Sequence, residues 1–136
     1  MASPTPHEAL IHVMVMMSAA DRAMSDRELA KIGNIVNTLP AFQGYDAGRI
    51  VSAAERCSKI LQGDNGLDKV LAGAAKALPQ RLHETAYALA VEVAAADLSV
   101  GQEELRLLQI LRDRLNLDQL TCVAIERGAR ARHQRV

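Results

Sequence analysis

The sequence predicts an all-α fold, a compact bundle of about seven helices built from two repeated helical hairpin units. Residues that favour helix (Ala, Leu, Met, Glu, Gln, Lys and Arg) dominate, and apolar residues recur at three- and four-residue spacing almost throughout. No stretch alternates with period two, and no Asn-Gly turn joins two apolar runs, so strands are not expected. The third observation is internal. A shift of 76 residues lays His7-Glu8 on His83-Glu84, Ala19-Ala20-Asp21 on Ala95-Ala96-Asp97, and Glu28-Leu29 on Glu104-Leu105. Some eight of twenty-six positions then match, against two or three expected by chance in an Ala-rich chain. Repeats of this kind imply that each unit cannot bury its own apolar face, so the two close on each other.

The elements follow in order. Met1 to Pro6 holds two prolines and small polar residues and reads as a flexible lead-in. A first helix spans about His7 to Ala20, with Leu10, Val13, Met14 and Met17 on one stripe. The second begins near Ser25, carries Leu29, Ile32, Ile35, Val36 and Leu39, and stops at Pro40. Asp46 caps a third through Ile50, Val51, Ala54 and Ile60, which ends at Gly63. A short fourth covers about Leu67 to Leu78 and stops at Pro79. The fifth, about Arg81 to Ala96, sets Leu82, Ala86, Leu89 and Val93 on one face. A sixth runs from about Gln102 to Leu115, and Asp118 caps a seventh ending among Arg127, Arg130 and Arg132. The whole of 7–133 forms one domain, with repeat units at about 7–62 and 83–133. Asp46 and Val51 fall on Asp118 and Val123, the offset shifted by the longer Pro40-to-Tyr45 loop.

Composition excludes several functions. The 136 residues suffice for one domain that buries roughly two-thirds of its unfolded surface. Sixteen basic and sixteen acidic residues cancel, so no strong field draws the chain to nucleic acid or anionic lipid. Three scattered rings, Phe42, Tyr45 and Tyr87, supply no platform for stacking bases. Cys57 and Cys122 read as buried thiols of a reducing compartment, with a long-range disulfide as the alternative. The first residues are not expected to form a signal peptide, and the apolar run Ala9 to Ala20 contains His12 and is too short to span a bilayer. A cytoplasmic protein without a transmembrane segment is expected.

Each half holds the same sequence sentence: an apolar helix, Ala-Ala-Asp, a short turn, then Glu seven residues after the Asp. In the first half it runs from Ala19-Ala20-Asp21 to Glu28-Leu29, and in the second from Ala95-Ala96-Asp97 to Glu104-Leu105. This pattern resembles the signature of TerB-like (tellurite-resistance) domains, as does the leucine-rich stretch from Leu105-Arg106-Leu107-Leu108 to Leu115-Asn116-Leu117. The resemblance runs from about His7 to the last helix. It departs at Arg22 and Leu98, where such proteins often carry Gly after the Asp.

The resemblance implies a small helical bundle of a bacterial tellurite-resistance or stress-response system, non-enzymatic and acting through protein partners. It further implies that acidic hairpin residues bind a divalent metal ion. Asp21, Glu28, Asp97 and Glu104 are the ligands so implied, and their hard oxygen donors suit calcium or magnesium. The spacing is not that of an EF-hand. Structural roles compete at each position. Ser25-x-x-Glu28 is a capping box, Glu104 lies in a first turn that favours negative charge, and either Asp is a common turn former.

Other candidates have plainer readings. Glu92 interrupts an apolar run and is expected to be exposed or paired with an arginine. His7 and His83 fall at equivalent first turns with capping or surface roles, His12 is alone on its helix, and His133 lies in a tail. Met14, Met16, Met17 and Met24 are core filler. The chain has no Gly-rich phosphate loop and no H-E-x-x-H motif, and the Glu-x-x-His pairs of di-iron bundles are missing. A metal-dependent carboxylate enzyme and a helical adaptor whose groove binds a helix remain the alternatives to the TerB-like reading.

Overall fold

The computed structural model describes residues 3–19, 24–95 and 101–136. Among these it contains seven α-helices and no strand: α1 Pro6–Ser18, α2 Asp26–Thr38, α3 Ile50–Gln62, α4 Gly66–Ala77, α5 His83–Ala95, α6 Gln102–Arg114 and α7 Gln119–Arg132. Short 3-10 turns at Pro40–Phe42, Ala47–Arg49 and Gln80–Leu82 lead into or out of them.

Local chemistry sets the boundaries. α1 starts one residue before His7, because Thr5 and Glu8 form a reciprocal capping box and Pro6 takes the first helical position. Ser25 and Glu28 make the same box at α2. Asp46 caps the 3-10 turn ahead of α3 rather than α3 itself, accepting from the Gly48 N–H. Asp118 caps α7 through the Thr121 N–H at 2.7 Å. Between α3 and α4, Asn65 takes the left-handed region, and a Cβ on Gly66 would lie 2.3 Å from the Ile60 carbonyl oxygen. Only glycine fits that approach. α6 ends with Asn116 at φ 54° and the Leu117 N–H bonded back to the Arg112 carbonyl, a Schellman closure.

α1 is the axis of the molecule. Every residue from Ala9 to Ser18 is buried, so the helix is enclosed all round rather than along the single stripe its periodicity suggests. It packs on α2, α3, α4 and α5. α5 is the second inner helix, lying against α1, α6 and α7. Thus α1 meets α3 as α5 meets α7. α3 turns Ile50, Ala53, Ala54 and Cys57 inward, whereas Val51, expected in its stripe, is 51% exposed. Val123, its counterpart on α7, also faces outward. Arg114 ion-pairs with Asp68 and so ties α6 to α4. Among the described residues, no helix is long and apolar enough to cross a membrane.

Candidate functional site

The hairpin turns were the first place to look for chemistry. Asp21 and Asp97 lie outside the described residues. Glu28 is the third residue of α2, where its Oε1 accepts from the Ser25 N–H at 2.9 Å and from the Ser25 hydroxyl at 3.0 Å. Glu104 is the third residue of α6, half-buried, with its Oε1 3.9 Å from where Gly101 would carry a Cβ. Ser25 and Gly101 hold nearly the same extended backbone, at φ −83°, ψ 164° and φ −72°, ψ 167°. Both glutamates therefore stand at the same place on equivalent helix starts. Among the described residues, no three His, Cys, Asp or Glu side chains converge as metal ligands would. The donor type suits a hard cation, but neither Glu28 nor Glu104 belongs to a group of three such side chains among the described residues.

The histidines do more than their sequence positions suggested. His7 and His83 bind carbonyls of distant loops rather than capping their own helices: His7 Nε2 lies 3.0 Å from the Ala41 oxygen, and His83 Nδ1 3.3 Å from the Leu115 oxygen. Each fastens the start of an inner helix to the chain just beyond the helix that follows it. His7 also gathers Phe42 and Tyr45, with ring centroids 5.7 and 5.1 Å away, so two of the three aromatic rings form one cluster. His12 is 3% exposed, and its Nε2 has no hydrogen-bond partner among the described residues. Burial holds its imidazole below the usual histidine range, against the opposing pull of Glu8 and a hydrogen bond to the Ala53 backbone. Cys57 stands beside it, its thiol donating to the His12 carbonyl at 3.6 Å and pushed up to about 12 by burial. Both cysteines are free and buried, so the disulfide alternative is not realised.

Glu92 is arginine-paired, and its partners come from the end of α7. Its Oε1 accepts from Arg132 Nη2 at 2.8 Å, and its Oε2 lies 2.5 Å from His133 Nε2. Burial would raise this carboxyl, but the hydrogen bonds and charges of His133 and Arg132 outweigh it and hold the group below its usual range. His133, read from sequence as part of a tail, is thus a half-buried closing contact.

Two hollows flank this clamp. One, of about 500 Å³, lies between α5, α6 and α7, with His133 at its edge. On one of its walls the Tyr87 hydroxyl donates to Glu126 Oε2 at 2.5 Å. Burial and that neighbour push the Tyr87 phenol well above its ordinary range. The other hollow, a shallower groove of about 960 Å³, runs between the end of α2 and α5 and is lined by Ile35, Leu39, Leu82 and Leu89. Sequence reasoning missed both, because each depends on how separate helices pack and not on any one segment. Comparison of the chain with family models, with characterised proteins and with solved structures finds no match.

Proposed function

We propose that the chain is a TerB-like, non-enzymatic tellurite-resistance and stress-response module of the bacterial cytoplasm, working through protein partners and binding a divalent cation at its hairpin turns. The observation that supports this most is the matched start of α2 and α6. The same Ala-Ala-Asp sentence precedes each helix, and each places a glutamate at its third residue behind an extended cap. Asp21, Glu28, Asp97 and Glu104 would hold the ion, whose hard charge calls for several carboxylate oxygens. Bound there, it would join the two hairpins and stabilise the fold by mass action. The apolar groove between α2 and α5 offers a partner helix a surface beside those hairpins.

The test is thermal melting of the full chain in chelator, in calcium and in magnesium. We expect a stabilisation of about 2.7 kcal/mol at a hundredfold excess of ion over its dissociation constant. The double variant Asp21→Asn with Asp97→Asn abolishes it. Melting that is identical with and without either ion overturns the cation reading.

A further inference from the structure

The hollow between α5, α6 and α7 has the make-up of a small-molecule site. Its volume of about 500 Å³ falls within the range of ligand pockets. The inner wall is apolar, formed by the buried Val91 and Ala94 of α5, Leu108 of α6 and Ala129 of α7. Leu105, a large apolar side chain, also lines the hollow and is 55% exposed. A ligand tail would cover it and remove that surface from water.

Charge decides what the head of such a ligand is. Arg112 on α6 and Arg130 on α7 line the hollow from two sides, and neither is ion-paired among the described residues. Arg132, one residue from His133, is by contrast spent on Glu92. Glu126 is the acid of the lining, and it is engaged by the Tyr87 hydroxyl. Arg112 is half-buried on the α6 side of the hollow, where its guanidinium also meets the buried Cys122 thiol. The lining thus sets two guanidinium groups against one occupied carboxylate around an apolar wall.

We infer that this hollow binds a small amphipathic carboxylate, its head held by Arg112 and Arg130 and its alkyl or aryl body laid on Val91, Ala94, Leu105 and Leu108. A guanidinium holds a carboxylate through paired, charge-assisted hydrogen bonds, which an alcohol or an ammonium of the same chain does not reproduce. The lining includes none of the four carboxylates of the cation reading, and the inference does not rest on that reading.

Octanoate is the probe, with octanol and octylamine as controls. Binding to the full chain is followed by calorimetry and by the backbone amide shifts of residues 91, 94, 108 and 129 in heteronuclear NMR. Saturable one-to-one octanoate binding is expected, with shifts concentrated at those amides and with both controls weaker by about tenfold or more. Arg112→Gln weakens octanoate by about tenfold. Because Arg112 is half-buried, Leu105→Glu serves as the second variant: its exposed position spares the fold, and its carboxylate in the lining repels the ligand. Failure of octanoate to bind, equal binding of octanol or octylamine, or binding undiminished in a folded Leu105→Glu protein overturns the inference.

Discussion

Helices α1 and α5 correspond under the 76-residue shift of the sequence, yet at one matched position they carry side chains of opposite character. Met16 on α1 and Glu92 on α5 are related by the 76-residue shift. Met16 is 1% exposed on a helix enclosed all round, whereas Glu92 keeps a fifth of its side chain in water and takes Arg132 and His133 from the end of α7. The same helical position is an interior site in one half and a rim site in the other. What differs is the cover: α3, α4 and α5 pack around α1, while the Glu92 side chain on α5 meets the last residues of α7 and its carbonyl meets Lys31 of α2. An acid is tolerated where a cationic partner and solvent both reach it.

Exchanging the two residues breaks this comparison most directly. Met16→Glu buries a charge with nothing to pair it and is expected to cost at least about 4 kcal/mol, enough to leave little cooperative transition in urea. Glu92→Met removes an ion pair but fills the same volume with an apolar chain, and the expected change is within about 1 kcal/mol. Similar losses from both would mean that α1 and α5 are equally enclosed.

Acid titration separates the halves by pH. His12 has its pKa lowered in the fold from an ordinary value of 6.5, so the unfolded chain binds its proton first. Its contribution is complete above about pH 6.5 and is lost as pH falls below that, with a slope approaching about 1.4 kcal/mol per pH unit. Glu92 is also lowered, from 4.5, and as an acid it stabilises above that value, its contribution disappearing as pH falls through the folded pKa. His12→Leu is therefore expected to abolish the loss between about pH 6.5 and 5, and Glu92→Gln to flatten only the limb below about pH 4.5. Urea midpoints measured across that range check both. A His12→Leu protein that still loses stability from pH 6.5 downward contradicts the assignment.

Smaller effects concern the helix starts and the outer faces. Glu28→Gln keeps an oxygen that can accept from the Ser25 N–H, so it should cost under about 1 kcal/mol in chelator, and the same variant in millimolar divalent ion separates capping from ligation. A much larger loss in the ion-containing sample would mark Glu28 as a ligand. Val51→Ser and Val123→Ser replace outward-facing residues on α3 and α7 and should each stay within about 0.5 kcal/mol. A larger loss at either would place that residue in contact with something the bundle does not provide.

The fold was legible because its punctuation is local. Pro40, Pro79, Gly63 and Asp118 each end or begin a helix through their own local chemistry, and the Ser25–Glu28 box is a four-residue pattern. Val51 was misplaced because neighbours Ile50 and Val51 fit the same apolar pattern, and only the direction of approach of α1 decides between them. The enclosure of α1 was invisible for a similar reason: its apolar residues occur at every spacing, so selecting one stripe discards the others. That Glu92 would pair with an arginine was readable, but not that Arg132 and His133, some forty residues later, would both reach it. The aromatic cluster of His7, Phe42 and Tyr45 likewise depends on a loop folding back over the start of α1. Of the four implied ligands, Glu28 and Glu104 were correctly placed at helix starts, and Asp21 and Asp97 lie outside the described residues.

The two free thiols give each half of the molecule its own clock for local opening. Cys57 is sealed between α1 and α3, and Cys122 lies on α7 near Tyr87 of α5, both without measurable exposure. A thiol reagent can reach neither until its helix lifts away, so the labelling rate of each reports the frequency of one opening event. α7 packs chiefly on α5 and is fastened at its end through Glu92, which titrates, whereas α3 packs on both α1 and α4. Cys122 should therefore label ahead of Cys57, and acid that loosens the Glu92 clamp should widen the interval between them.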